Sequence, residues 1–378
     1  QLSITPHARN GRDAHGHRAR RIVIRNGCHE TPQYPAGRNS VTDRQALSKA
    51  RSIDIHAHAV LAGSMGTAGI HGPEIGYTEA GDPWFRVGDY RLDGVRYEGS
   101  PFMESAVRLA NMDDADIDCQ VLSPNPLTYF HHISADDAIR FCQSHNDALA
   151  AIVDEHSTRL AGFAALPMQD IPAACEELER AVQQLDLLGA YIGTDIGRPL
   201  NDPALDAFYE KVVSLDVPLM IHPSPAGIDG PPGDPNLKQF DLDLLTGFAA
   251  QESIAVATLI FGGVLHRHPN LDICLSHAGG TMTSLIGRFN RACTKRPWVP
   301  EHLQYEGAFE ESLQKLWFDT HVHDPRVLKW VIDIMGTERL LLGTNFAGWD
   351  QHAMTHDVDP TLAETMSRNA KKLLRITP

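Results

Sequence analysis

Ser52-Ile53-Asp54-Ile55-His56-Ala57-His58, residues 52–58, is a β-branched run that closes on two histidines one residue apart. Side chains alternate along a strand, so His56 and His58 point to the same side. Short apolar runs of the same kind recur at 117–123, 160–166, 189–194, 217–222, 271–277, 316–320 and 340–346, with stretches of helical character between them. One helix is expected over 136–156, where Ile139, Cys142, Leu149, Ile152 and Val153 share a face. Another follows Asn201-Asp202-Pro203, a capping residue with proline in the first turn. Eight strands alternating with helices predict an α/β chain folded as a (β/α)8 TIM barrel. A doubly wound sheet is the weaker reading, because no GxGxxG turn follows the first strand.

Two connections are long. Residues 62–104 carry Trp84, Phe85, Arg86, Tyr90, Arg91 and Tyr97, and residues 223–239 are rich in proline and glycine. Loops of this size are usually binding elements or lids, and both follow strands at the C-terminal mouth of the expected barrel.

The chain has 378 residues, of which 42% are hydrophobic and 21% charged, as in an ordinary globular protein. No continuous apolar run is long enough for a membrane span, and a formal charge of −15 argues against nucleic acid as a partner. Residues 1–51 differ from the rest: ten Lys or Arg stand against Asp13, Glu30 and Asp43, a balance of +7 that leaves −22 on the remainder. We divide the chain into an N-terminal arm, 1–51, and a barrel, 52–378. The arm has no sustained period beyond a short strand candidate at 21–25 and no apolar leader core. It reads either as a solvated extension or as a basic segment laid on an acidic surface, its own or that of a homo- or hetero-oligomeric partner. Six scattered cysteines without CxxC spacing suit a reducing cytoplasm.

Twenty histidines are unusual, and several fall at strand ends. His56 and His58 close the first strand, His222 the fifth and His277 the sixth, while the eighth ends Gly343-Thr344-Asn345. A packed core gives no reason for polar, metal-capable groups to gather at the C-terminal ends of four strands, so a divalent metal site is expected there.

The chain resembles the amidohydrolase superfamily, in particular its branch of aromatic-acid decarboxylases. The likeness rests on the HxH pair, Phe85-Arg86-Val87, Gln120-Val121-Leu122-Ser123, Leu166-Pro167-Met168-Gln169, residues 189–194, His268-Pro269-Asn270-Leu271, Ser276-His277-Ala278-Gly279-Gly280, Val322-His323-Asp324-Pro325 and Leu342-Gly343-Thr344. The resemblance implies that His56, His58 and His222 hold a metal, that His277 exchanges protons and that Arg86 grips a substrate carboxylate. It also implies that Glu252 orients its neighbours, and that an aspartate ends strand eight. Here that position is Asn345, which cannot ionise.

Asp195 and His321 are candidates to compensate, and two ions would be possible if His222 and His277 held a second. The expected function is metal-dependent decarboxylation or hydrolysis of a small carboxylated or amino-substituted molecule, with zinc as cofactor. The alternatives are a dinuclear iron or manganese oxygenase on the same fold and a catalytically reduced, metal-binding subunit of a hetero-oligomer.

Overall fold

The structure, a computed structural model, describes residues 42–351 and 359–376. Its strands in chain order are β1 (Ile53–Ala59), β2 (Glu74–Tyr77), β3 (Pro83–Val87), β4 (Tyr90–Asp93), β5 (Cys119–Pro124) and β6 (Leu160–Gly162). They continue with β7 (Ala164–Ala165), β8 (Ala190–Gly193), β9 (Leu219–His222), β10 (Ile273–Leu275), β11 (Trp317–Asp319) and β12 (Leu340–Leu341). All eight predicted runs contain strand. The third is split at Phe163 into β6 and β7.

The strands form two parallel sheets, β1-β5-β6 and β7-β8-β9-β10-β11-β12. Phe163 N donates to Leu122 O at 2.9 Å where the two sheets adjoin at β6 and β7. At the other margin Ile55 N donates to Leu342 O at 3.0 Å and Phe346 N to His56 O at 3.2 Å, so the first strand meets the last. The run read as 340–346 pairs only at Leu340–Leu341 and through a bridge between Ala57 and Phe346. Between those points Thr344 gives its N–H and hydroxyl to the Asp54 carboxylate, at 3.1 and 2.7 Å, in place of a ladder partner.

Register explains how β1 presents both histidines. Asp54 pairs with Gln120 and Ala57 with Leu122, so three steps on β1 match two on β5 and one residue is extra. The bulge puts Asp54 on the same face as Ala57, which packs in the main cluster with helix residues such as Met112 and Leu149. There Asp54 and Gln120 hydrogen-bond at 2.9 Å, and Arg108 bonds Gln120 at 2.9 Å and His58 O at 2.6 Å. All three are buried, and their mutual bonds offset the cost of removing them from water.

The helix Ala135–Glu155 is capped by Ser134, whose side chain accepts from Asp137 N. Its buried stripe includes Phe141, Cys142, His145, Leu149 and Val153, while Ile139 and Ile152 are only half-buried, a modest rotation from the predicted face. Asp202 caps the short turn Pro203–Leu205 ahead of the helix Asp206–Ser214, as its sequence implies.

The long segment after β1 is structured. β2, β3 and β4 form an antiparallel sheet, and Phe85, Val87 and Tyr97 pack in one cluster with Val60, Phe130 and Phe141. Val60 and Phe130 lie just beyond β1 and β5, so this sheet sits beside the ends that carry the histidines. Lys238, from the long segment after β9, bonds Asp243 at 2.7 Å and lies 5.0 Å over the Tyr90 ring.

Most of the arm lies outside the described residues. Its described end is packed on the body: Leu47 is buried, and Arg44 and Arg51 each pair at 2.9 Å, with Asp186 and Asp118. Among the described residues one helical stretch, Asp243–Phe261, is long and apolar enough to cross a membrane, which the sequence reading did not identify. One face of it is buried, with Glu252, Ala255, Val256, Leu259 and Ile260, while Leu245 and Ile254 are exposed. The five described cysteines are free thiols.

Candidate metal centre

His56 and His58 on β1 and His222 at the end of β9 offer ligand atoms within 4.8 Å of one another, all three side chains being buried. Their tautomers are set by what lies behind each ring. His56 Nδ1 is 2.8 Å from Asp319 Oδ2, His58 Nδ1 is 3.0 Å from Pro124 O, and His222 Nδ1 is 2.6 Å from Pro223 O. A carboxylate or carbonyl oxygen at that distance only accepts, so each Nδ1 carries the proton and each Nε2 keeps a lone pair. His56 Nε2 and His58 Nε2 then face each other at 3.3 Å with no proton between them, and His222 Nε2 is buried without a partner.

Lone pairs gathered in this way repel unless a cation takes them. Two ligands about 2.1 Å from one ion, at tetrahedral or octahedral angles, stand roughly 3.0 to 3.4 Å apart, and the His56–His58 spacing falls in that range. Burial, followed by neighbouring charge, holds His56 and His222 well below the ordinary imidazole range, and burial pushes His58 down to about 3. Neutral rings are what metal ligation needs. Oxygen partners behind each ring fix its orientation, as outer partners of metal-bound histidines do.

His277 has the opposite character. Its ring centroid is 5.0 Å from that of His56 and 5.1 Å from that of His222, and its Nδ1 is 2.8 Å from Glu252 Oε1. Burial works against its charged form, but the Glu252 carboxylate and then Asp319 and Asp350 outweigh it and raise it to about 9. The Glu252 carboxylate thus favours the charged form of His277. Its backbone is left-handed, φ 45°, as is that of Ala278, φ 53°, a strain of the kind that persists at functional sites. Gly280 follows at φ 72°, where a Cβ would stand 2.2 Å from Ala249 O on the helix Phe248–Phe261 that carries Glu252.

Beyond β11, His321 is buried with its ring 5.5 Å from that of His56 and 5.4 Å from that of His277, and His321 Nε2 meets Asp350 Oδ2 at 3.2 Å. His323 Nε2 lies 3.5 Å from the same oxygen. Asn345, at φ 48°, donates Nδ2 to Asp350 Oδ1 at 2.7 Å. Burial raises the Asp350 carboxyl, but His321, His277 and the Asn345 amide leave it well below the ordinary carboxylate range.

The structure thus brings together His56, His58, His222, His277, His321 and Asn345 of the sequence-predicted residues. It does not bring in Asp195, which is exposed and accepts from Gly197 N at 3.0 Å in its own loop. Arg86 Nη2 pairs with Glu74 Oε2 at 2.8 Å and its Nη1 with Gly88 O at 2.6 Å, which ties β3 to β2. Glu252 orients His277, as the resemblance implies. Asp319 and Asp350 were not read as site residues. Asp319 ends a predicted strand, as the histidines do, and that was the available signal; Asp350 lies in a loop whose path no periodicity records.

A buried pocket of imidazole nitrogens on parallel strand ends, beside a histidine bonded to a buried glutamate, is the site of a metal-dependent enzyme of decarboxylase- or hydrolase-like type. The chain belongs to the amidohydrolase family, whose sequence model matches residues 53–376. Among curated relatives, 2-amino-3-carboxymuconate-6-semialdehyde decarboxylase of Dictyostelium discoideum is 33% identical over 241 residues, covering 64% of this chain and 66% of that protein. Gamma-resorcylate decarboxylase of Rhodococcus jostii is 32% identical over 258 residues, covering 64% and 76%. Among solved structures, dihydroxybenzoic acid decarboxylase from Polaromonas sp. JS666 with bound manganese matches with a TM-score of 0.65 at 21% identity, over 86% of this chain and 97% of that one. That likeness supports the α/β barrel fold.

Proposed function

We propose that this chain is a non-oxidative decarboxylase, on a closed (β/α)8 barrel, of small aromatic or unsaturated carboxylates that bear a neighbouring hydroxyl or amino group. His56, His58 and His222 would hold a divalent ion, zinc or manganese, which when bound supplies Lewis-acid polarisation of the substrate's oxygens. The observation that carries the reading is His277, kept protonated by Glu252 beside that pocket. Loss of carbon dioxide breaks the carbon–carboxylate bond and leaves its electron pair on carbon; the proton on His277 Nε2 replaces the lost group, and the neutral ring recovers a proton from solvent. Glu252 fixes the ring through Nδ1, so Nε2–H is the transferable proton.

A charged His277 is an acid, which favours decarboxylation over hydrolysis, while Asn345 departs from the aspartate that the resemblance implies for both reactions. The decarboxylases named above support neither the oxygenase nor the reduced-subunit alternative. Arg86 would have to leave Glu74 to reach a substrate, so in this reading it holds the β2–β3 sheet. Assembly through the basic arm and a cytoplasmic location belong to the same proposal, the latter suited by the free thiols.

The test is turnover by the manganese- or zinc-loaded protein in D2O with 2,6-dihydroxybenzoate, 5-carboxyvanillate and 2-amino-3-carboxymuconate semialdehyde. Carbon dioxide and one deuterium at the vacated carbon are expected from at least one of them, and His277→Asn should lower kcat by about 100-fold or more. Fully loaded protein that releases carbon dioxide from none of them would end this reading.

A further inference from the structure

A second group of ligand-bearing side chains adjoins the His56, His58 and His222 cluster, the His321 ring lying 5.5 Å from that of His56. His321, His323 and Asp350 present their donor atoms within 4.8 Å of one another. The two histidines follow β11 at alternate positions, so one short segment delivers both, and Asp350 comes from the loop beyond β12. None of these three belongs to the ligand set implied by the family resemblance for the ion on the strand ends, apart from His321 as a lone substitute.

The geometry suits chelation. His321 Nε2 and His323 Nε2 stand 3.2 and 3.5 Å from the same oxygen, Asp350 Oδ2. Donors about 2.1 Å from one ion, at angles near 90° to 110°, are separated by roughly 3.0 to 3.4 Å, a range that holds the first distance and falls just short of the second. The other Asp350 oxygen is occupied by the Asn345 amide at 2.7 Å, which fixes the carboxylate with Oδ2 towards the imidazoles. The His321 side chain is 1% exposed, its backbone N–H is bonded to Asp319 Oδ1 at 3.0 Å, and its Nδ1 is buried without a partner among the described residues.

Half-exposed His323 opens this cluster to solvent, giving an ion an entry path. Two imidazoles and one carboxylate favour a first-row transition ion such as zinc, manganese or iron(II) over calcium or magnesium, which prefer all-oxygen sites.

We infer that His321, His323 and Asp350 form a second divalent-cation site, beside and separate from the one at His56, His58 and His222, with Asn345 as the positioning residue for its carboxylate. This gives Asn345 a role: its amide donates to Asp350 Oδ1 and orients that carboxylate. The site is independent of which substrate is turned over, so its test does not read activity.

Full-length protein stripped with a chelator is dialysed against cobalt(II) alone, and bound metal is counted by elemental analysis and by the visible cobalt bands. The wild type is expected to hold two ions per chain, and His323→Ala, Asp350→Asn and the pair His56→Ala with His58→Ala one each. The triple variant of His56, His58 and His323 should hold none. Thermal melts establish which variants are folded; His323→Ala decides if Asp350→Asn is not, because that ring is half-exposed. One ion in the wild type, or two retained by folded His323→Ala, would overturn the inference. Two ions without decarboxylation would leave it standing and remove only the proposed reaction.

Discussion

Glu252 is fully buried on its helix, and its Oε1 accepts from both His277 Nδ1 and the Ser276 hydroxyl. Among the described residues His277 is the one cationic side chain hydrogen-bonded to this carboxylate, so the two behave as one unit. The sign of the pH dependence follows. With His277 raised to about 9, its acid form is present throughout the neutral range and is lost as pH rises through that value, so decarboxylation should fall on the alkaline side. Glu252→Gln removes the stabilising charge and leaves burial to act alone, which lowers an imidazole. The alkaline limb of the kcat profile should then move towards acid by about two units. A profile of unchanged shape in the variant would show that Glu252 does not set the proton on His277. Asn345 shows a different economy of charge: a carboxylate in its place would face Asp350, whereas its amide donates to it.

Among the elements, the turn from β10 into the helix Met282–Lys295 does most to place the chemistry. Left-handed His277 and Ala278 run into Gly279 and Gly280, and the chain passes so close to the Glu252 helix that position 280 has no room for a side chain. The atom in the way is backbone, Ala249 O, and cannot swing aside. Gly280→Ala should therefore cost roughly 2 to 4 kcal/mol and lower the melting temperature by several degrees. An unchanged melt would contradict the close approach. This turn also shows what sequence can carry. Ser276-His277-Ala278-Gly279-Gly280 was readable as a tight, site-forming turn, and every barrel strand was readable because β-branched runs recur between helical stretches. The split at Phe163 and the extra residue between Asp54 and Ala57 were not, because both depend on register against a neighbour. Asp350 escaped for a related reason: loop paths are set by local hydrogen bonds, here to Asn345 and His321, and leave no periodic trace.

At the scale of the whole molecule, the strands bring side chains nearly 300 positions apart in the chain to one end of the parallel sheets. His56 is 263 residues from the Asp319 that orients it, and Thr344 is 290 residues from the Asp54 it bonds. Those pairings explain why the family model needs nearly all of residues 53–376 to be matched and why no short motif defines the site by itself. They also locate the dependence of the entire account: each ring is aimed from behind by an oxygen, and the three Nε2 lone pairs meet with no proton to share. The most direct test is an anomalous difference map from crystals of the full-length protein loaded with manganese. The account predicts a peak about 2.2 Å from Nε2 of His56, His58 and His222 together. Loaded crystals with no peak among those three nitrogens, or with the rings turned away from one another, would contradict it.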